Sequence, residues 1–155
     1  QTLLELGQEF GLRPHGLETL LQLRLEKGHI IVGQDTDFDS TPRRIHHDWA
    51  VKLGKPEVIG RHAVGRTNKI TLDKMLVGFE MAGEPPIEGA VLWHEGDFAG
   101  HITSSTWSPI LNKSVMLGWL YYFEDQLPEE VTVDGRIARR VPLPFYDKEA
   151  SRARA

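Results

Sequence analysis

The chain has 155 residues, of which 40% are hydrophobic and 26% charged, and its formal net charge is −4. This length suits one domain or a small domain with a subdomain, and the acidic balance argues against nucleic acid or a membrane surface as partner. The absence of cysteine excludes disulfides, thiolate nucleophiles and cysteine-ligated zinc. No apolar run approaches the roughly 20 residues of a membrane helix.

Two helices are predicted at the start of the chain. The first carries Leu3, Leu4 and Leu6 and ends at Gly11, and the second has leucines at helical spacing and ends at Lys27-Gly28. Because the chain begins without Met and already in helical rhythm, we expect it to be cut from a longer protein. Such a cut would leave Leu3 and Leu6 partly bare, which favours association with another surface.

The segment that follows mixes one strand with loops and short helices. His29–Val32 is short and apolar, which predicts a buried strand. A polar loop over residues 33–40 comes next, and Thr41-Pro42 has the form of a helix cap followed by proline. We therefore expect a short helix through Val51 and a further one around Val58–Val64.

After about Lys74 the pattern changes to short apolar runs bounded by Gly, Pro, Asp or Asn, which predicts a small antiparallel barrel or sandwich. Asp134-Gly135 suits a two-residue hairpin turn. The fold class expected is α+β, with residues 1–74 in a first domain and residues 75–155 in a six-stranded β-barrel. The strands are expected at Met75–Met81, Ala90–His94, Phe98–Thr103, Ser114–Tyr122, Glu130–Val133 and Arg136–Val141.

Alternating acids in the polar loop, Asp35, Asp37 and Asp39, resemble the start of an EF-hand. That motif needs Gly at its sixth position and Glu at its twelfth, where this chain has Ser40 and His46. We therefore expect these carboxylates to cap turns.

Three further polar clusters also have simple structural explanations. Residues 60–67 resemble a phosphate-binding loop, but their apolar spacing predicts a helix instead. His46-His47-Asp48 is expected to lie on a solvated helix face, since adjacent helical side chains point about 100° apart. Ser104-Ser105-Thr106 has no placed base, and we expect a turn there. No metal site and no catalytic residue is predicted.

Glu26 is the acid of most interest. It lies in the last turn of the second helix, where the helix dipole disfavours negative charge by a few tenths to about 1 kcal/mol. Arg24 and Lys27 are close enough in sequence to soften that cost. A ligand that presents N–H donors would be another reason for a carboxylate at this position.

An ordered set of motifs resembles the glycine-cleavage T-protein (aminomethyltransferase) superfamily. It begins with Leu23–Gly28, which is similar to the family's "RLEKG" segment, and continues through Gly33–Asp37 and Thr41-Pro42. The closest similarity in motif is to the folate-binding region of sarcosine oxidase alpha subunits and dimethylglycine dehydrogenases. The remaining matches are Trp49, Lys55–Arg61, Leu76–Phe79, Glu88–Ala90, Gly100–Ser105, Ser108-Pro109, Leu117-Gly118 and Pro144–Asp147.

The resemblance implies the closing part of a ferredoxin-like α/β domain followed by a β-barrel. It also implies that tetrahydrofolate binds between the domains and accepts a one-carbon unit from an aminomethyl carrier or from an oxidised N-methyl amine, the parent amine being one such as sarcosine. A lipoyl carrier protein or a flavin-bearing partner is then an expected donor. The location expected is the bacterial cytoplasm, with the mitochondrial matrix second.

Four residues carry over from the family as folate-site candidates. Glu26 matches the acid that hydrogen-bonds the pterin ring, since one carboxylate accepts two N–H bonds. Lys55 falls near a basic residue that meets the folate tail, where the family usually has Arg. Tyr146 and Arg152 belong to the C-terminal region that closes over the site.

The family's catalytic Asp lies upstream of this chain, so we expect the chain alone to be inactive and to need the N-terminal half or another subunit. Two other functions stay open at the level of sequence. One is a non-catalytic binding module of a multidomain amine oxidase, and the other is a demethylase on the same scaffold.

Overall fold

A computed structural model describes residues 2–152 as a helical region followed by a closed β-barrel. The helical region contains α1 (Thr2–Gly7), α2 (Leu17–Glu26) and α3 (Arg61–Thr67), with 3-10 turns at Gln8–Phe10 and Asp48–Ala50. Within residues 2–152 no helix is long and apolar enough to cross a bilayer. The predicted α+β class is confirmed.

Six antiparallel strands form a closed barrel: β1 (Lys74–Met81), β2 (Val91–His94), β3 (Asp97–Ser108), β4 (Lys113–Tyr121), β5 (Glu130–Val133) and β6 (Arg136–Val141). Their order around the barrel is β1-β4-β3-β2-β5-β6, and β6 pairs back with β1. The prediction of a six-stranded barrel is confirmed. The β5–β6 turn is Asp134-Gly135, with φ of 49° and 72°, as the predicted two-residue hairpin requires.

Side chains that point into the barrel form its main core, because alternate residues of every strand face inward. Large fully buried members include Phe79, Leu92, Ile102, Met116 and Leu120. The interior is therefore filled by side chains, and a ligand site has to lie outside the barrel.

A second apolar cluster, called here the outer cluster, lies on the outside of β1 and β4. Leu76, Leu117 and Trp119 contribute from the strands, and the covering side chains include Leu25 of α2 and Phe145. Only Leu25 and Glu26 of α2 are buried. The C-terminal end of α2 is thus the part that the barrel holds.

Two predictions in the helical region were wrong. Residues 29–31 form no regular element and Val32 begins a turn through Asp35, because the Ile31 carbonyl and amide both bond to Asp35. Val32 is 83% exposed. Residues 41–51 form a turn and the Asp48–Ala50 3-10 helix, since the positive φ of His46 (57°) stops an α-helix.

The helix predicted around Val58–Val64 begins later, at Arg61, after Gly60 adopts a φ of 81°. It does run through the segment that resembled a phosphate-binding loop.

The predicted turn at Ser104-Ser105-Thr106 was also wrong, since these residues continue β3. The strand has a β-bulge there: Ile102 pairs with Gly118 and Ser104 with Leu117, so Thr103 is an extra residue. A bulge keeps a strand paired while it changes which side chains face each way. Hydroxyl-rich composition suggested a turn, whereas pairing with β4 prolongs the strand.

Candidate functional site

Glu26, the last residue of α2, is 1% exposed. The Ser108 hydroxyl donates a hydrogen bond to its Oε1 (2.6 Å), and Gln22 Nε2 lies 3.5 Å from the same oxygen. Within the described chain the other oxygen, Oε2, is buried without a hydrogen-bond partner. One acceptor of this carboxylate is therefore occupied and the other is free.

The cations that flank Glu26 in sequence are paired with other acids. Arg24 forms an ion pair with Asp35 (2.8 Å), and Lys27 with Asp147 (3.4 Å). Among residues 2–152 Glu26 has no ion-pair partner. A buried carboxylate without a cation, at the end of a helix where the dipole is negative, is destabilising. A bound group with N–H donors would offset that cost.

Asp35 fastens the segment after α2 to the barrel. Its carboxylate is fully buried and accepts four hydrogen bonds, from the amide of Ile31 (2.8 Å), the hydroxyls of Thr103 and Ser104 (2.6 Å each) and Arg24 Nη1 (2.8 Å). The prediction that this acid caps a turn holds, and the carboxylate has a second task in docking the turn on β3. Because it is fully satisfied, Asp35 has no evident part in ligand binding.

Asp37 caps a turn as predicted, because its Oδ1 accepts the Ser40 hydroxyl and the Asp39 amide. Burial alone would raise the pKa of Asp37, but the hydrogen bonds from Ser40 and Lys74 and the charge of Lys74 hold it below its ordinary value. Within residues 2–152 no group of three His, Asp or Glu side chains is arranged to hold a metal ion.

The C-terminal strap, residues 143–151, crosses the end of α2. The Tyr146 amide donates to the Glu26 carbonyl (3.0 Å), and Lys27 Nζ donates to the Asp147 carbonyl (2.5 Å). Hydrogen bonds from the Ser151 hydroxyl and amide, together with Lys27, hold the pKa of Asp147 below its ordinary value. The strap is thus held beside Glu26 by hydrogen bonds to the Glu26 carbonyl and to the Lys27 side chain.

The four predicted site residues do not all come together. Tyr146 adjoins Glu26 through its backbone and is half-buried, whereas Lys55 and Arg152 are exposed. Lys55 lies in the loop before α3, and in the described part of the chain its side chain makes no hydrogen bond or ion pair. Their roles in a folate site stay predictions.

An open cleft of about 900 Å³ lies at one end of the barrel, away from Glu26. His94, Phe123 and Arg140 are among its lining residues, and none of the four predicted site residues lines it.

Ser108 was not among the predicted site residues. Ser108-Pro109 appeared only as one of the matched motifs, and no local pattern shows that its hydroxyl reaches a residue 82 positions earlier. The signal that would have found it is the pairing of β3 with β4, which is not visible in one sequence.

These features define a class of protein: a β-barrel module that holds, on its outer face, a helix ending in a buried carboxylate with one free oxygen. Two sequence models of one family match the chain, the "glycine cleavage T-protein C-terminal barrel domain" over residues 74–147 and the "GCVT N-terminal domain" over residues 1–55. The chain belongs to the glycine cleavage T-protein superfamily.

Individual relatives agree with this assignment. The chain is 34% identical to an aminomethyltransferase of Halothermothrix orenii and 37% identical to one of Oceanobacillus iheyensis, each over 94% of its length. The crystal structure of the glycine cleavage system aminomethyltransferase T from Bartonella henselae superposes on 84% of it, with a TM-score of 0.73 and 29% identity. The chain spans about two fifths of the length of each of these proteins: 42%, 41% and 38%.

Proposed function

We propose that this chain supplies one wall of a tetrahydrofolate site in an aminomethyltransferase-like protein. The observation that carries the proposal is Glu26, which is 1% exposed and keeps a buried oxygen without a partner. Membership of the T-protein superfamily supports it, because this family is folate-dependent in general. The two parts of the chain, residues 1–74 and 75–155, are inferred to carry Glu26 and the closing barrel respectively.

The chemistry of the pterin suits this carboxylate. An aminopyrimidine presents a ring N–H and an amino N–H side by side, and a carboxylate accepts such a pair. Oε2 is free, and Oε1, already bonded to Ser108, has further acceptor capacity. A neutral amide at this position would turn its NH₂ group toward one of the two N–H groups of the pterin. Two donors cannot bond to each other, so an amide could not replace the carboxylate.

Bound tetrahydrofolate would accept the methylene carbon of a glycine-derived aminomethyl group, whose nitrogen leaves as ammonia. Alternatively, it would accept the carbon of an N-methyl amine such as sarcosine after a flavin-bearing partner has oxidised that methyl group by two electrons. This chain's part is to hold and orient the pterin and to exclude water. Both favour the reaction by positioning the reacting groups, although the chain itself contributes no catalytic residue. The Lys55 side chain is proposed to meet the folate tail, and Tyr146 and Arg152 to close over the site.

We expect Glu26→Gln to weaken tetrahydrofolate binding by roughly 1–3 kcal/mol, since a buried donor pair loses an acceptor. The measurement is calorimetric titration of the polypeptide encoded by the complete reading frame. Glu18→Gln is the matched control, because it removes the same charge from the exposed first turn of the same helix. Equal affinities for Glu26→Gln and the wild type would remove Glu26 from the site.

The 155-residue chain by itself is expected to bind tetrahydrofolate weakly, because most of the site's walls are proposed to lie in the region that its relatives have and this chain does not span. Sub-micromolar binding to the chain alone would contradict this arrangement. Failure of the complete polypeptide to bind folate would favour a non-catalytic binding module instead.

The exposed leucines of α1 and α2 are proposed to contact the remainder of the protein or another subunit. Leu3 is 81% exposed, Leu17 78% and Leu20 50%, and apolar surface of this extent is typical of an interface. We expect the isolated chain to self-associate in analytical ultracentrifugation, and Leu17→Ser with Leu20→Ser to shift it toward monomer without changing its unfolding midpoint. The control is Ile137→Ser, which replaces an exposed apolar side chain on the outside of the barrel. A strictly monomeric wild-type chain would contradict the prediction.

A further inference from the structure

We propose that Ser108 is a positioning residue: it fixes the Glu26 carboxylate so that Oε2 and the remaining acceptor capacity of Oε1 stay available to the N–H donors of the ligand. This proposal rests on the proposed function and names a second residue of the same site. Ser108 is fully buried at the end of β3, 82 residues from Glu26 in sequence.

The hydrogen bonds of Ser108 determine the direction in which its proton points. The Leu111 amide donates to Ser108 Oγ (3.3 Å), so the hydroxyl is already an acceptor on that side. Its single proton is then directed at Glu26 Oε1, 2.6 Å away. Bonds from a hydroxyl to a carboxylate are short and strong, which restrains the rotation of the carboxylate.

The restraint matters because the other polar contacts of the carboxylate supply little of it. The other contact to the carboxylate is the 3.5 Å approach of Gln22, and in residues 2–152 no cation pairs with Glu26. A glutamate side chain has three rotatable bonds, so its orientation is costly to fix on binding. With Ser108 present, the carboxylate is held before the ligand arrives, and that cost is already met in the free protein.

The β-bulge in β3 is what turns Ser108 toward Glu26. On β4, Val115 and Leu117 belong to the outer cluster, while Met116 belongs to the core inside the barrel. The partners of Lys113, Val115 and Leu117 are Ser108, Thr106 and Ser104, so these three residues of β3 share the outer face.

Ile102, by contrast, lies in the inner core. In a regular strand Ile102, Ser104 and Ser108 would all face the same way, because side chains alternate with a period of two. The extra residue Thr103 reverses the order after it. Without this bulge the Ser108 hydroxyl would point into the barrel instead of toward α2.

A double-mutant cycle tests the proposal in the polypeptide encoded by the complete reading frame. Tetrahydrofolate is titrated into the wild type, Ser108→Ala, Glu26→Gln and the double variant, and urea unfolding verifies that each is folded. We expect Ser108→Ala to weaken binding about tenfold, as loss of a bond to a charged group does. In the Glu26→Gln background it should weaken binding by less than about twofold, since Ser108 acts through Glu26.

Thr106→Ala is the matched control, because Thr106 shares the outer face of β3 two residues away and should leave affinity unchanged. Ser108→Thr keeps the hydroxyl and should restore affinity to within about threefold of the wild type. If Ser108→Ala does not fold, Ser108→Cys, of similar volume and with a weaker donor, takes its place in the cycle.

The outcomes separate this proposal from the proposed function. If Glu26→Gln weakens binding while Ser108→Ala does not, or if Ser108→Ala costs the same factor in both backgrounds, the positioning role is overturned and the folate site stands. If Glu26→Gln binds like the wild type, the folate role of Glu26 and the role of Ser108 fall together.

Discussion

Replacing Gly100 with Ala is expected to destabilise the chain by more than about 4 kcal/mol or to prevent folding. Gly100 has a φ of 145°, which L-residues rarely adopt, and a Cβ there would overlap the carbonyl oxygen of Trp119. That oxygen belongs to the backbone of β4, where Gly100 pairs with Leu120. It can retreat only if the β3–β4 pairing is broken.

Two other glycines separate the steric overlap at Gly100 from the strain of its backbone conformation. Gly96 has a φ of 93° but open space around its Cβ position, so Gly96→Ala carries conformational strain of about 1–3 kcal/mol alone. Gly54 has open space and no positive φ, and Gly54→Ala should change stability by less than about 1 kcal/mol. Urea unfolding followed by tryptophan fluorescence measures all three. If Gly100→Ala unfolds at the same midpoint as Gly96→Ala, the proposed overlap with β4 is wrong.

Asp35→Ala is expected to lower the free energy of unfolding by about 3–5 kcal/mol. It leaves a largely buried guanidinium, two hydroxyls and an amide without their acceptor. Arg24 is 12% exposed at its side chain and loses its ion-pair partner. Thr103 and Ser104 lose the acceptor that both hydroxyls share. The end of α2 is then no longer fastened to β3, so the folate affinity proposed for the complete polypeptide should fall as well.

Asp39→Ala is the control for this variant, since Asp39 is an exposed acid of the same loop, and its loss should change stability by less than about 0.5 kcal/mol. Asp35→Asn separates charge from shape: it keeps the volume but presents an amide to four donors. We expect Asp35→Asn to be nearly as destabilising as Asp35→Ala in urea unfolding. A cost near that of Asp39→Ala would mean that the network of hydrogen bonds contributes little.

The barrel was predictable from sequence because its signals are local. Each strand is a short apolar run between turn residues, and Asp134-Gly135 alone specifies a hairpin whose geometry matches its positive φ values. These patterns are set within a few residues, and one sequence contains them in full. The helical region has fewer such signals, and its apolar residues are divided between a packed and an exposed set.

His29–Val32 illustrates why the remainder was harder. Ile30 packs against the outer cluster while Val32 is exposed, so the apolar run does not mark a strand. The conformation is decided by Asp35, whose carboxylate accepts a hydrogen bond from the Ile31 amide and is itself held by Thr103 of β3. Glu26 was found by its resemblance to a family motif, but its partner Ser108 depends on strand register, which only the folded structure contains.

Because of the bulge at Thr103, the face to which each later residue of β3 points depends on the number of residues before it as well as on their type. Losing one residue there would exchange inside for outside at every position from Ser104 to Ser108, even though each serine was still present. No substitution among those five positions could undo the exchange, whereas reinserting a single residue of almost any kind could. Over residues 104–108, insertions and deletions are therefore the changes that most disturb which side chains face outward.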